Sequence, residues 1–556
     1  MFTNRRALAF VAIALFSFIQ TTSFAQQKKE VTHSITKSAV KGFLYEASLN
    51  EPGNIELVYN VKAGKDKVKY EIYEFDKSLA FIGQKEVESR KTRYKERPTI
   101  SYDYIGASVG GGNSFTILST KLNLYSGKLT KTWNAERQRY DTKISNRNEF
   151  KPKNADNKSY YGRVAYEATD GTLYLMVTSS KADKDEKSKE YSLLKVGGNL
   201  EQTEYPISFD RPHSLIYSLL VPTGENADDL GENELGNHEM MFFFAPLSGN
   251  LKEYTAIQLD KNGKEKKRFT INTPGSVCAI NAHKVTEDGT IYLCALSLDD
   301  KKSFDQVIGE YAPIENYSYV QYGVSNYRME VYQKNIEKTE FKELVTVKIK
   351  DGKVLWTNST PVKEFKSKLK TPPAQKKGYS YDGKNFVIEN FYILPDESFL
   401  FVGQVKKNVF KQAPLNENYL DLVCLQVSNK GEVLSQYSYS PVTDSKSIIF
   451  PIPQLLLPSS GNDHLYWLAL EVKGVKGYAS WSDAYNGAPT FYPNFYPAIG
   501  KIDLKNKTIS NFEVMGNRKF LLNRRNMYVE LPEEKAMVFI GEDKKGKIML
   551  AKFILD

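Results

Sequence analysis

Acid–base material is scarce in this 556-residue chain. Its five histidines are His33, His213, His238, His283 and His464. There is no nucleophile elbow, metal-ligating helix motif or phosphate-cradling glycine loop. His213, after Arg211-Pro212, is the histidine best placed to act. Glycoside cleavage needs no local motif, because its carboxylates can come from distant parts of a fold. Asp103, Glu167 beside Arg163, and Asp210 beside Arg211 are the acids to consider for it. A metal pair of His283 and Cys294 lacks two further ligands. The Asp/Asn/Gly run at 226–237 does not match a calcium loop. No catalytic residue, metal or cofactor is therefore assigned.

Binding chemistry is better represented. Residues 477–497 read GYASWSDAYNGAPTFYPNFYP, with Trp481, Tyr485, Phe491, Tyr492, Phe495 and Tyr496 in a segment of loop composition. Aromatic rings grouped in this way stack on sugars or anchor a protein partner, or they fold back to cap the fold. A second Tyr-rich stretch, 311–332, holds Tyr317, Tyr319, Tyr322 and Tyr327.

The elements that must carry these loops are β-hairpins. Strand-like runs flank turns at Asp76-Lys77-Ser78, Ser126-Gly127-Lys128, Gly197-Gly198-Asn199, 261–264, Asp351-Gly352-Lys353, Asn429-Lys430-Gly431 and Lys505-Asn506-Lys507. Gly, Asn and Asp recur there because tight hairpin turns need positive φ. A second hairpin precedes most of them, turning at Asp170-Gly171, Asp288-Gly289, Pro395-Asp396 and Asn462-Asp463. Two hairpins make a four-stranded sheet, which cannot bury both faces alone and so must stack on its neighbours.

The last stretch, IMLAKFILD at 548–556, reads as a strand without a following partner. A strand from about 31–40 is expected to cover that edge, since open edges aggregate. The expected fold is an all-β, single closed β-propeller. It has eight four-stranded blades, or seven, because four strands cannot be placed in the second unit at 99–133. An open stack of two domains is the other arrangement weighed. The chain resembles secreted bacterial β-propeller repeat proteins in general, over nearly all of residues 26–556. Gly352-Lys353-Val354-Leu355-Trp356 resembles a unit of the pyrroloquinoline-quinone propellers, but Gly431-Glu432-Val433-Leu434-Ser435 lacks the Trp, so that cofactor is not implied. The repeated Gly-His and Trp-Asp signatures of WD40 repeats are missing.

In such a blade the connections after the second and fourth strands share one face. The long segments 135–161, 299–340, 361–384 and 472–495 all fall there, where binding loops concentrate. Segment 361–384 carries seven Lys against Glu364 and Asp382. On the opposite face, 223–237 carries five acids and no base.

Arg5, Arg6, the apolar run 7–19 and Ser23-Phe24-Ala25 form a secretory signal peptide at 1–25, cleaved near Ala25. Removing it takes away two Arg and no acid, so the net charge falls from +10 to +8. That is too mild for a nucleic-acid binder. No later segment is apolar and long enough to span a membrane. The three cysteines, Cys278, Cys294 and Cys424, read as buried hydrophobes. A turn at Asp288-Gly289 would set Cys294 opposite His283, away from Cys278. The expectation is an exported monomer, periplasmic or extracellular. It is a non-catalytic binding or scaffolding propeller whose loop-rich face engages an envelope protein or a glycan. The alternative is a carbohydrate-active enzyme with carboxylates at the channel mouth.

Overall fold

A computed structural model of the chain describes residues 28–63, 67–90, 99–110, 121–134, 139–168, 171–179, 190–223, 238–309, 332, 335–408, 417–441, 452–459, 461, 463–472, 495–523, 526–543 and 545–555. They form antiparallel sheets that follow one another along the chain. Sheet I holds Phe43–Leu49, Ile55–Ala63, Lys67–Phe75 and Phe81–Arg90. Sheet II has three strands, Ile100–Gly110, Lys121–Asn134 and Arg139–Phe150. Sheet III holds Tyr161–Glu167, Leu173–Thr178, Glu190–Val196 and Gln202–Ser208, and touches sheet II through one pair, Lys121 with Tyr161. Sheet IV runs His213–Pro222, His238–Pro246, Glu253–Leu259 and Glu265–Asn272. Sheet V runs Val277–Val285, Ile291–Leu298, Glu343–Lys350 and Lys353–Pro361. Sheet VI runs Phe386–Ile393, Phe399–Asn408, Glu417–Val427 and Val433–Tyr439. Sheet VII runs Gln454–Pro458, His464–Val472 and Phe495–Asp503, edged by Thr508–Ile509 and Glu513–Val514. Sheet VIII combines Leu521–Leu522, Tyr528–Leu531, Ala536–Glu542 and Lys547–Ile554 with the N-terminal strand Lys28–Ser34.

That last pairing is the expected clasp, set earlier in the chain than 31–40. Lys28 to Ser34 run antiparallel to Phe553 to Lys547. Residues 35–40 are not strand: Thr36 caps the short helix Lys37–Lys41 by accepting the Ala39 amide.

Burial explains the sequence pattern of each strand. Middle strands are covered on both faces and read as unbroken apolar runs, as in Leu173–Thr178 and Ile291–Leu298. Fourth strands alternate or lie open, as in Gln202–Ser208 and Glu265–Asn272. Shared cores tie neighbouring sheets together. Leu44, Ile55 and Leu57 of sheet I pack with Val538, Ile540 and Leu550 of sheet VIII. Other clusters join sheets II with III, III with IV, IV with V and VI, VI with VII, and VII with VIII. The other face of sheet I has its own cluster of Tyr45, Val58, Val68, Tyr70 and Ile72.

The expected turns hold at Asp76, Gly197, 261–264, Asp351-Gly352, Asn429 and Lys505. Asp351 and Gly352 both have positive φ, at 51° and 71°, as a two-residue hairpin turn requires. Ser126-Gly127-Lys128 is not a turn. Lys121–Asn134 runs straight through it, with a register shift against Arg139–Phe150 at that point. A Cβ on Gly127 would sit 2.7 Å from Ile144 Cγ2, so this glycine serves a close strand approach. Segment 135–161, expected to be a long loop, therefore contains the third strand of sheet II.

A one-residue bulge recurs in the first strand of five sheets, at Tyr45, Arg163, Ile216, Asn281 and Glu389. The first strands of sheets IV, V and VI lie side by side, and that of sheet I lies beside Tyr528–Leu531. A tyrosine joint repeats as well. Tyr191, second in the third strand of sheet III, donates to His213 O at 3.2 Å and accepts from Leu215 N at 3.1 Å. Tyr254, second in the third strand of sheet IV, donates to Ser276 O at 2.9 Å and accepts from Cys278 N at 2.8 Å.

Candidate functional site

Four of the six aromatic candidates, Trp481, Tyr485, Phe491 and Tyr492, lie outside the described residues, as do Tyr317, Tyr319, Tyr322 and Tyr327. Phe495 and Tyr496 open the third strand of sheet VII. Phe495 is half-buried between the VI–VII and VII–VIII cores. Tyr496 is fully buried, with the Arg518 guanidinium 5.3 Å from its ring centre. It occupies the same strand position as Tyr191 and Tyr254, so its place in the repeat accounts for its burial. In this structure it offers no open ring face.

The root of segment 473–494 is a buried polar joint. Glu471, next to last in His464–Val472, has no solvent exposure. Its Oε1 accepts the Tyr439 hydroxyl of sheet VI, and its Oε2 accepts Arg518 Nη2 at 3.1 Å. Burial and the Glu471 charge hold the Tyr439 phenol well above its ordinary range. Tyr439 stacks on Phe512 with ring centres 3.5 Å apart, and Phe512 meets Trp467 edge-on. Arg518 adopts a left-handed conformation, φ 57°, a strain tolerated where surroundings over-determine the backbone. The joint ties sheets VI and VII to the 3-10 helix Met515–Arg518 that leads into sheet VIII, and sequence reasoning missed it. A Glu at a strand end among apolar neighbours (Leu468, Ala469, Leu470) is the signal that could have pointed to it.

The first strands carry a second polar series between sheets. Tyr166 donates to Ser218 Oγ at 2.7 Å, and Tyr217 Oη lies 2.8 Å from His283 Nδ1. Gln454 Nε2 donates to Glu389 Oε2 at 3.0 Å, while Trp467 Nε1 donates to Gln454 Oε1 at 3.0 Å. His283 and Glu389 both keep contact with solvent, yet protein crowds their other sides. Desolvation lowers the His283 pKa, and it raises that of Glu389 against the opposing Gln454 hydrogen bond. A carboxyl shifted this way is a possible proton donor.

The acids singled out from sequence are dispersed. Asp103 is exposed on sheet II, Arg163 is buried at the sheet III bulge with Glu167 at the end of the same strand, and Asp210 is exposed in the turn before Pro212. Arg211 pairs with Glu253 at 3.0 Å. His213 is buried, stacked on Phe209 with ring centres 4.2 Å apart, and its Nδ1 lies 2.8 Å from Arg211 O. With Nδ1–H donating there, His213 is a neutral structural group; burial lowers its pKa.

No group of three or more His, Cys, Asp or Glu side chains among the described residues could hold a metal. All three cysteines are buried and free, and burial pushes the Cys278 thiol up to about 12. Cys294 faces Ala282 rather than His283, because Thr286 and Thr290 close the turn one residue earlier than expected. Segment 361–384 is not a free loop. Val362–Lys368 forms a 3-10 helix, and Leu369–Lys370 pairs parallel with Gln436 and Tyr437 on the outer edge of sheet VI.

No family model and no curated protein matches the chain. Among solved structures it is similar to the Pseudomonas brassicacearum lignostilbene dioxygenase, at 8% identity over 83% of this chain and 90% of that one, TM-score 0.32. A GH43 β-1,3-galactosidase aligns at 8% identity over 82% and 86%, TM-score 0.28. Cobalt-substituted Synechocystis apocarotenoid oxygenase aligns at 11% identity over 88% and 94%, TM-score 0.28. At these scores none of the three assigns a fold or an activity to this chain, which stands on its own geometry as an all-β protein of stacked antiparallel sheets.

Proposed function

We propose that the chain is an exported, closed eight-bladed propeller that binds an envelope protein or a glycan without transforming it. Export rests on Arg5, Arg6, the apolar run 7–19 and Ser23-Phe24-Ala25. Closure is supported by the Lys28–Ser34 clasp and by the core that sheets I and VIII share; it requires sheet I to meet sheet II as well. The observation that carries the binding role is the full engagement of Glu471. Both carboxylate oxygens of this buried acid are spent on Tyr439 and Arg518, which makes Glu471 a structural anchor at the end of the strand that precedes the aromatic segment in sequence rather than a reacting group.

Affinity capture from the source organism's envelope extract, with residues 26–556 as bait, tests this. A stoichiometric partner captured by the native chain and lost with Trp481→Ala and Tyr492→Ala is expected. Equal capture by the variant would remove the aromatic segment from the binding face.

The carbohydrate-active reading draws on Glu389, a solvent-open carboxyl with a raised pKa on a first strand. Release of reducing sugar from envelope polysaccharide by the native chain, abolished in Glu389→Gln, would favour it over binding alone.

A further inference from the structure

The outer edge of sheet VI carries an uncompensated basic row. Lys363, Lys366, Lys368, Lys370, Lys376 and Lys377 are all exposed on the strap that follows sheet V, with Glu364 the one exposed acid between 363 and 377. None of the six lysines has an ion-pair partner among the described residues. Some exposed lysines elsewhere are paired, as in Lys67–Glu88 at 2.9 Å, Lys252–Asp299 at 2.8 Å and Lys350–Asp288 at 2.6 Å.

The strap is held in place from below. Val362 and Phe365 are buried in the V–VI core. In a 3-10 helix residues three apart eclipse, so burying that pair leaves Lys363 and Lys366 stacked on another side. Gln375 exchanges two hydrogen bonds with the Ser440 backbone, at 2.8 and 3.0 Å. Gln436 does the same with Tyr379 O and Tyr381 N, at 2.8 and 3.2 Å. Asn511 of the sheet VII region accepts the Ala374 amide at 2.8 Å. The charges are thus displayed on fixed backbone. At ~2.0 Å per residue in the 3-10 helix and ~3.3 Å in the strand, the row from Lys363 to Lys370 is about 16 Å long.

Its chemistry selects the occupant. The row has no exposed aromatic or arginine, the residues that anchor protein interfaces, whereas lysine is depleted in them. The apolar side chains of its helix point inward, so nothing is presented for insertion into a lipid surface. What remains is a line of point charges along a sheet edge, matched to a linear polyanion.

We propose that this strap is a docking edge for an acidic polysaccharide bearing carboxylates along its chain. This deepens the glycan arm of the binding role and places the contact on the outer edge of sheet VI, on residues other than those of the aromatic segment. The test measures binding of the full mature chain to alginate, with dextran, double-stranded DNA and phosphatidylglycerol–phosphatidylcholine vesicles in parallel. Salt-sensitive retention on alginate and none on dextran is expected. The Lys363→Gln, Lys366→Gln, Lys368→Gln, Lys370→Gln variant should bind about tenfold or more weakly with an unchanged melting curve. Glu364→Gln should bind more tightly. Absence of alginate binding, equal binding by the quadruple variant, or preference for DNA or vesicles would overturn the proposal. Loss of capture in the Trp481 and Tyr492 variant reads the broader binding role independently.

Discussion

The hydroxyl of Tyr254 sits 2.8 Å from the amide of Cys278, and so fixes the start of sheet V from the third strand of sheet IV. It also donates to Ser276 O, bracketing that first strand at alternate residues. Tyr191 makes the same joint to sheet IV. Both joints are buried, so each replaces two water contacts that the first strand has lost.

Tyr254→Phe should therefore leave the Cys278 amide buried without an acceptor. A loss of about 1–3 kcal/mol is expected, read as a lower urea midpoint at constant slope. A midpoint shift under about 0.5 kcal/mol, the scatter of ordinary surface substitutions, would mean the joint is dispensable.

Arg518→Met tests the joint at Glu471. It takes the guanidinium away from the Glu471 carboxylate, which has no solvent exposure, while the Tyr439 hydroxyl still donates to it. Breaking a fully buried pair costs about 3–5 kcal/mol. Arg518 is 40% exposed, so water can enter in its place and a loss nearer about 2 kcal/mol is expected by denaturant titration. Restoring stability in Arg518→Met with Glu471→Gln would confirm that the stranded charge is the cause.

Acid should weaken the fold through its histidines. Burial lowers the pKa of His213, and desolvation likewise lowers His33 and His283. The folded state then binds fewer protons than the unfolded one. Their contribution is complete above the unfolded value near 6.5 and is lost as pH falls through the lower folded values. Melting curves between pH 7.5 and 5 should fall with acid, and His213→Gln should flatten that dependence. A variant as acid-sensitive as the native chain would exclude His213.

Deleting Lys28–Ser34 removes the partner of a strand whose residues Ile548 to Phe553 are all buried. The deletion should lower the melting temperature and promote aggregation through the exposed edge. Deletion with an unchanged melting curve and a monomeric profile in gel filtration would show that the clasp is not needed.

Residue chemistry local to each hairpin was enough to place most of the architecture. Positive-φ turns at Asp351-Gly352 or Asp288-Gly289 need particular residues at adjacent positions, so short stretches announce them. The pairing of the last strand with an N-terminal strand and the incomplete second unit follow from the same pattern. Gly127 misled because a glycine that relieves strand crowding looks, in sequence, like one that turns the chain. Which side chains meet between sheets was decided only by the tertiary structure. The one-residue shift at the Thr286–Thr290 turn moves Cys294 across its ladder, and bulges at Asn281 and Glu389 re-aim the first strands, since strand faces alternate with a period of two. Tyr496 and Glu471 are neighbours of the aromatic segment in sequence. Their contacts with Arg518 and Tyr439 reach 22 and 32 residues away from them along the chain. Lateral packing of this kind has no local signature, because its energy lies in contacts between sheets built from hairpins that are separate in sequence.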